Sequence, residues 1–359
     1  MFNYLNRIMV ALVLSFLTGI PAAQAQELSS KIDSMLSPTF MKEGPGGVFM
    51  IVKKGEIYFK KAYGQANLEL GVPMTTENVF QIGSMTKQFT AVAILMLVEE
   101  GKLKLEDDIT SYIPDYPTQG QQITIHHLLT HTSGIKDFTK MKSIMEIARQ
   151  DLSPKEVVDF FKNEPMQFKP GEQFQYNNSG YVLLGYILEL VSGETYETFV
   201  EKRLFEKAGM KTARYASDRE LIPNRAYGYH KRGAYTNKMW VSLSIPFSSG
   251  ALMATVEDMW HWQQALNDHS LVSDPILQKA FRKYRLNNGQ EFGYGYGWHL
   301  KNLNGMVIRE HGGSIFGFKS MAVYIPEQEL YVIGLTNCDC LSPTQITRDI
   351  AQLVLEFGG

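Results

Sequence analysis

Alternating and continuous apolar runs predict strands at both ends of the chain. Near the amino end, residues 47–64 form two arms rich in β-branched and aromatic residues around Lys54-Gly55, which predicts a β-hairpin. Near the carboxyl end, a glycine–aromatic alternation is followed by three arms at hairpin spacing. We expect this strand-rich region to cover residues 292–300, 306–311, 319–325 and 330–336.

The segment between these ends carries helical patterns. Residues 86–98 are apolar on too many faces for a surface helix, so this helix should be buried, and Gly101 should end it. Further helices are expected over residues 124–134, 154–163, 181–191, 196–208, 256–266 and 343–357. This order predicts an α+β fold in which the two ends meet in one antiparallel sheet flanked by helices. Residues 84–240 would form a mainly helical lobe, with a cleft between the layers.

The first 25 residues have the pattern of a secretory signal peptide. Arg7 gives a positive start, residues 8–20 are apolar, and Ala23-Gln24-Ala25 supplies a small-x-small cleavage site. The apolar run is shorter than the roughly 20 residues that a membrane-spanning helix needs. We therefore expect export to the periplasm or medium, cleavage near Ala25, and one mature domain over residues 26–359 without a stable membrane span. An uncleaved anchor is the alternative.

Composition and charge narrow the range of partners. A hydrophobic content of 44% and a charged content of 20% are typical of a globular protein. A net charge of −2 without a basic stripe argues against nucleic acid or an anionic membrane as the main partner. Cys338 and Cys340 are interpreted as small core residues rather than a disulfide, because two cysteines on one face of a strand would form a strained bridge.

The buried helix follows directly on a candidate nucleophile, Ser84-Met85-Thr86-Lys87. Positions i and i+3 share a helix face, so the Ser84 hydroxyl and the Lys87 amine should point the same way. The positive end of the helix and partial desolvation disfavour the ammonium form, so the pKa of Lys87 should fall. A neutral amine beside a hydroxyl can activate a serine. The spacing alone does not settle the assignment, because Ser133-Gly134-Ile135-Lys136 matches it too and a capping serine beside a solvated lysine is the alternative.

Two more patterns follow in a fixed order, Tyr176-Asn177-Asn178 and His311-Gly312-Gly313. With the flanking segments 80–84, 128–134 and 176–181, the three patterns resemble the serine hydrolases related to class C β-lactamases and to D-alanyl-D-alanine carboxypeptidases. The similarity runs from about residue 30 to the final helix. Tyr235-Thr236-Asn237 also fits the second pattern. Only Ser84 opens a long buried helix, so Ser133 is interpreted as part of a loop.

The resemblance implies a β-lactamase/transpeptidase-like fold and a role for each motif residue. Ser84 would be the acylated nucleophile. Lys87 and Tyr176 would form a coupled pair that supplies the base, with the pKa of the phenol lowered by the nearby ammonium. Asn178 would anchor Lys87 or the substrate amide.

The third motif is expected to bind substrate. The resemblance implies an oxyanion hole formed by the backbone N–H groups of Ser84 and Ser314, with Gly313 letting substrate lie close to the strand. His311 stands where β-lactamases usually carry a lysine. A mostly neutral imidazole is a weaker partner for a substrate carboxylate, so His311 favours peptidase or D-aminopeptidase activity over penicillin hydrolysis.

We therefore expect an exported serine hydrolase that forms an acyl-enzyme on an amide or ester, most readily on a D-amino-acid peptide such as one derived from peptidoglycan. It should need no cofactor or metal. An esterase, a β-lactamase, an acyl transferase and a non-catalytic binder of peptidoglycan-like ligands are the alternatives. His127 and His131 have the i, i+4 spacing of zinc ligands but lack the Glu of His-Glu-x-x-His, so both are interpreted as structural. An α/β-hydrolase is disfavoured because no Gly-x-Ser-x-Gly occurs.

Overall fold

The computed structural model describes residues 22–357. Most of the predicted signal peptide, residues 1–25, therefore lies outside the described residues. The first helix begins at Ala22 and contains the predicted cleavage site, so cleavage near Ala25 stays a prediction. Within residues 22–357, no helix has both the length and the apolar character needed to cross a membrane.

The strands follow one another in chain order. They are β1 (Gly47–Lys53), β2 (Glu56–Tyr63), β3 (Gln65–Asn67), β4 (Val72–Pro73), β5 (Phe80–Gln81), β6 (Arg214–Tyr215), β7 (Tyr229–Arg232), β8 (Ala234–Asn237), β9 (Leu252–Ala254), β10 (Tyr284–Arg285), β11 (Glu291–Phe292), β12 (His299–Leu303), β13 (Met306–Ile315), β14 (Phe318–Ile325) and β15 (Leu330–Thr336).

The helices occupy the middle of the chain and both of its flanks. They are α1 (Ala22–Leu36), α2 (Thr86–Glu99), α3 (Ile125–Leu129), α4 (Ile144–Ile147), α5 (Pro154–Phe161), α6 (Asn178–Ser192), α7 (Tyr196–Phe199), α8 (Glu206–Ala208), α9 (Phe247–Gly250), α10 (Val256–Asn267), α11 (Asp274–Leu277) and α12 (Thr344–Phe357). A π-helical segment, Val200–Phe205, joins α7 to α8, so the helix predicted over residues 196–208 is confirmed.

Both ends of the chain meet in one antiparallel sheet, as the apolar pattern predicts. Its strand order is β12-β13-β14-β15-β1-β2, and β1 pairs with β15 from Gly47–Thr336 to Lys53–Leu330. Every residue of β1 is buried, and its side chains alternate between two hydrophobic clusters. Phe49 and Ile51 pack with residues of α1 and α12 on one face, whereas Val48 and Met50 face the larger cluster that contains α2 and α6. The predicted α+β fold is confirmed.

The helix α2 lies at the centre of the larger cluster. All its residues from Thr86 to Leu97 are buried, which explains why apolar side chains surround its axis. Its neighbour α6 begins where the Asn177 side chain accepts a hydrogen bond from the Gly180 N–H at 2.8 Å. The segment 84–240 also holds β6, β7 and β8, and its description as a separate helical lobe stays a prediction.

Two stretches differ from the pattern-based expectation. The helix expected over residues 124–134 ends at Leu129, and His131 adopts a φ of 60° beyond it. His127 forms a capping box with Thr124 instead, so His127 and His131 do not share a helical face. Within residues 22–357, no group of three or more His, Cys, Asp or Glu side chains is arranged to hold a metal ion. The glycine–aromatic stretch over 292–300 is mostly loop between β11 and β12.

The interpretation of the cysteines as free core residues is wrong, because Cys338 and Cys340 form a disulfide. The argument assumed that both lie on one face of a strand. Instead β15 ends at Thr336, and the cysteines lie in the turn that follows it. Cys338 is buried and Cys340 is exposed, with Asp339 between them. A turn can bring two such close cysteines together where a strand cannot.

Candidate active site

Ser84 lies in a 3-10 turn, Gly83–Met85, immediately before α2. The turn begins at Gly83 with a φ of 54°, a conformation that favours glycine. A Cβ atom at Gly83 would lie 2.9 Å from the backbone nitrogen of Ser314, so strand β13 packs directly against the turn. Ser84 is partly exposed and lines a cavity, whereas its neighbours Gly83 and Met85 are buried.

Lys87 is completely buried one helical turn after Ser84. Its Nζ lies 3.2 Å from Ser84 Oγ and donates hydrogen bonds of 2.8 Å to Asn178 Oδ1 and to the Ser249 carbonyl. Burial lowers the pKa of Lys87 to about 7, although the charge of Asp137 acts in the opposite direction. A neutral amine has two N–H donors and one lone pair. Because both carbonyl oxygens can only accept, the lone pair is left to face the Ser84 hydroxyl.

Asn178, the first residue of α6, is held in one orientation by its neighbours. Its Nδ2 donates to Thr139 Oγ1 at 3.1 Å and lies 3.4 Å from both carboxylate oxygens of Asp137. Asp137 is buried and also accepts from the Thr139 N–H at 3.1 Å. A carboxylate only accepts, so the amide NH₂ must face Asp137 and the amide oxygen must face Lys87.

Tyr176 packs its ring beside the lysine. Lys87 Nζ lies 4.9 Å from the centre of this ring, and the His131 ring lies 4.4 Å from it on centroids. The phenol oxygen is buried and has no hydrogen-bond partner among the described residues. Burial raises the pKa of Tyr176. The prediction that the ammonium lowers this pKa is therefore wrong, and the phenol keeps its proton at neutral pH.

Strand β13 lies against the nucleophile turn because Gly313 has no side chain. A Cβ atom there would lie 1.9 Å from the Ile82 carbonyl and 2.3 Å from Ser320 Oγ. Ser320 Oγ donates to that same carbonyl at 2.8 Å, which ties β14 to the turn as well. Ser314 follows on β13 and lines the cavity together with Ser84. The oxyanion-hole role of these two backbone N–H groups stays a prediction.

The family model described as Beta-lactamase matches residues 36–355. The chain belongs to the Beta-lactamase family. This family of serine hydrolases is the one that the three motifs predict, so that prediction is confirmed.

One similar sequence and two similar solved structures illustrate the relationship. Penicillin-binding protein 4* of Bacillus subtilis (strain 168) is 32% identical over 309 residues, which cover 81% of this chain and 68% of the relative. The solved octameric penicillin-binding protein homologue from Pyrococcus abyssi is 31% identical with a TM-score of 0.80, covering 92% of this chain and 77% of that one. The D-amino acid amidase from Ochrobactrum anthropi SV3, solved with D-phenylalanine, is 25% identical with a TM-score of 0.78, covering 92% and 98%.

The curated relatives are longer than this chain. It spans 68%, 64% and 62% of the length of three of them. What those whole proteins do therefore bears on this chain only as a proposal.

His311, the first residue of the third motif, faces inward. It is only 2% exposed, and its Nδ1 lies 2.7 Å from the Gly312 carbonyl while its Nε2 lies 3.1 Å from the Tyr294 hydroxyl. Burial holds the pKa of His311 well below its usual value, so the imidazole is neutral. Neither His311 nor Gly313 lines the cavity beside Ser84. Direct contact of His311 with substrate stays a prediction.

Sequence reasoning missed two groups that hold the site together, namely the Ser249 carbonyl and Asp137. A backbone carbonyl leaves no mark in a motif. Asp137 directly follows the segment Ser133–Lys136, which resembles the nucleophile motif but supplies only supporting structure: Ser133 is buried, and the Lys136 carbonyl accepts from Ser179. The position of Asp137 beside the family-like segment 128–134 is the one signal that could have indicated it.

The cavity in front of Ser84 has a volume of about 550 Å³. Most of its wall is apolar and comes from loops and short helices of the middle segment, with β13 and the turn after it on the opposite side. The apolar residues are Phe138, Ile144, Met145, Ala148, Met239, Val241, Leu243, Ile245, Pro246, Ile315 and Phe316. Lys238, Lys319 and Asp339 are the charged residues in its wall.

Substituting Gly313 with alanine should disable the site by moving β13 away from the turn. The added Cβ meets backbone at 1.9 Å, whereas in Gly312→Ala the nearest atoms lie at 3.2 and 3.3 Å. Gly313→Ala should lower turnover roughly 10²- to 10³-fold, which is typical for loss of an oxyanion donor, and Gly312→Ala should cost far less. Steady-state kinetics with circular dichroism to check folding measures this. Equal losses in the two variants would contradict the assignment.

The rate of acylation should rise with pH through about 7, because only neutral Lys87 can accept the serine proton and burial lowers its pKa to that value. The charge of Asp137 raises the pKa of Lys87. Removing that charge in Asp137→Asn should therefore shift the acidic limb of the pH–rate profile, the part in which the acylation rate rises with pH, to lower pH. Single-turnover acylation by a p-nitrophenyl ester across pH 5–9 reports it.

The matched control is Asp115→Asn, which removes a side chain that is 70% exposed and pairs with Lys162. It should leave the limb unchanged. A limb that stays in place, or moves to higher pH, in Asp137→Asn would count against Lys87 as the base.

Proposed function

We propose that the protein is an exported serine hydrolase that cleaves amides or esters through an acyl-enzyme on Ser84, with D-amino-acid derivatives as its substrates. The observation that carries the proposal is the Lys87 amine. It is buried, its pKa is lowered to about 7, and its two donor directions end on carbonyl oxygens, which leaves its lone pair to the Ser84 hydroxyl.

In the proposed acylation, Ser84 Oγ attacks the substrate carbonyl while its proton passes to Lys87 Nζ. The carbonyl oxygen becomes an oxyanion, which the backbone N–H groups of Ser84 and Ser314 stabilise. Collapse of the tetrahedral intermediate breaks the bond to the leaving group. An amide leaves as an amine only if it gains a proton. Tyr176 is suited to transfer that proton, since its phenol stays protonated and its ring lies beside Lys87. As the phenol protonates the leaving amine, it takes up the proton that Lys87 received from Ser84, so both groups return to their starting protonation states before deacylation.

Deacylation repeats the chemistry with water. Lys87 removes a proton from the water molecule as it attacks the ester, and the proton returns to Ser84 Oγ when the acid is released. If an amine took the place of water, the same site would act as an acyl transferase. The apolar wall of the cavity suits an aromatic or aliphatic acyl group in either case.

Two observations favour D-amino-acid amides and peptides over penicillins. A D-amino acid amidase shares the fold over nearly its whole length. In addition, the third motif carries a buried neutral imidazole, His311, in place of a permanent cation. Peptides derived from peptidoglycan contain D-amino acids and would be within reach of an exported enzyme. Simple esters are the second candidate, because the apolar cavity accommodates an acyl chain without demanding an amino group.

A panel of substrates tests the proposal. The purified enzyme is compared on D- and L-phenylalanine amides, acyl-D-Ala-D-Ala peptides, p-nitrophenyl esters and nitrocefin. We expect higher kcat/KM for D- than for L-amides and the lowest rate on nitrocefin. A fluorophosphonate should label the wild type and Ser133→Ala, which alters the second Ser-x-x-Lys, but not Ser84→Ala. Labelling of Ser84→Ala, or activity sensitive to a chelator, would overturn the nucleophile assignment.

Replacing Tyr176 with phenylalanine separates proton donation from general damage. p-Nitrophenolate leaves without a proton, whereas an amine does not. Tyr176→Phe should therefore lower kcat on amides by roughly 10²-fold or more and on p-nitrophenyl esters far less. Tyr181→Phe is the matched control, because that hydroxyl is also buried but donates to the Leu129 carbonyl at 3.0 Å. Equal losses on both substrate types in Tyr176→Phe would exclude the proposed role.

A further inference from the structure

The cavity wall near Phe316, where we place the acyl group of the substrate, carries the cation Lys319, which has no acidic partner among the described residues. We propose that Lys319 binds a carboxylate on the acyl group of the substrate, so that the preferred acyl donors are apolar in their body and anionic at their far end. This inference rests on the proposed function, since it names the class of acyl group that Ser84 would accept.

The leaving-group side and the acyl side of Ser84 can be told apart by the residues of β13. His311 lies toward the Tyr176 side, with ring centroids 6.1 Å apart, and Tyr176 is the proposed proton donor to the leaving group. The chain then passes Ser314 and reaches the turn at Phe316. The leaving group therefore departs on the His311 side, and the acyl group extends toward Phe316.

Lys319 reaches this acyl side from the neighbouring strand. It pairs with Ser314 in the β13–β14 register, and its Nζ donates to Ser314 Oγ at 2.9 Å. This contact holds the ammonium beside the residue whose N–H faces the reacting carbonyl. Lys319 is partly exposed, lines the cavity, and forms no ion pair within residues 22–357. The cation is thus available to a ligand.

Lys238 lines the same end of the cavity, and it too forms no ion pair with any described residue. Its side chain is partly buried, and burial lowers its pKa, although the charge of Asp218 acts in the opposite direction. A partly desolvated cation that forms no ion pair is unfavourable, and a ligand carboxylate would offset that cost. The two lysines together make this end of the cavity attractive to an anion.

Asp339 is the acidic residue in this part of the wall, and it is already engaged. Its carboxylate contacts His230 Nδ1, and the His230 Nε2 accepts from the Met239 N–H at 2.9 Å. The residue lies between the disulfide-linked Cys338 and Cys340, which restrict its backbone. Asp339 therefore contributes to the wall without forming an ion pair with Lys319 or Lys238.

The test compares two acyl donors that differ only in charge. The p-nitrophenyl monoester of adipic acid carries a free carboxylate, whereas its methyl ester is neutral and of similar length. For the wild type, kcat/KM should be higher on the carboxylate, and the preference should shrink with added salt. Lys319→Met should reduce the ratio of the two kcat/KM values roughly tenfold, the order expected for a charge-assisted hydrogen bond. Lys319→Arg should retain most of the preference for the carboxylate ester. Lys238→Met should reduce that preference, but by less than Lys319→Met does.

The exposed Lys104, remote in sequence from the site, provides the control Lys104→Met, which should keep the wild-type ratio. An unchanged ratio in Lys319→Met, or equal losses on both esters, would overturn the proposal, because a purely structural role through Ser314 affects both substrates alike. If the wild type hydrolyses neither ester, the proposed function fails, and the anion site is judged by binding alone. Adipic acid monoamide should then bind Ser84→Ala more tightly than neutral adipamide, and absence of that difference in calorimetry would overturn the site.

Discussion

The active site depends on one buried amine. Lys87 has no exposed surface, and an ammonium so placed would be strongly disfavoured unless it lost its proton or gained acceptors. Two carbonyl oxygens, one from α6 and one from α9, accept its hydrogen bonds. Both helices must therefore be packed against α2 before the amine is correctly oriented. Loss of either acceptor would leave a buried N–H without a partner, which typically costs about 1–3 kcal/mol.

The sheet supplies the second constraint. The nucleophile turn and the strand opposite it are far apart in sequence, and a hydrogen bond from Ser320 to the Ile82 carbonyl joins them across 238 positions. That approach is close only because Gly83 and Gly313 lack side chains. Since β14 and β15 link β13 to β1, pairing between the two ends of the chain fixes where the proposed oxyanion donors lie relative to Ser84.

Local apolar patterns and the ordered motifs were enough to predict several elements of the fold and the protein family. The hairpin β1–β2, the buried helix α2, the strands β13–β15 and the family follow from periodicity and from Ser84, Tyr176 and His311. What it could not predict depends on surroundings that no motif encodes. Desolvation raises the pKa of the Tyr176 phenol, and the two cysteines lie in a turn rather than on a strand. Asp137 orients Asn178 from 41 positions away.

The position of charge in the cavity bears on how substrates would be selected. With a neutral His311 on the leaving-group side and Lys319 on the acyl side, the proposed anion contact persists from the bound substrate through the acyl-enzyme. A contact of equal strength in the ground state and the transition state favours binding without accelerating the chemical step. On this account Lys319 would act on KM rather than on kcat. The rate of acylation would be determined by the buried pair of Lys87 and Tyr176, and it would not depend on the charge of the acyl group. Substrate selection would then depend on the cavity wall at Lys319, and the chemical step on the buried residues behind Ser84.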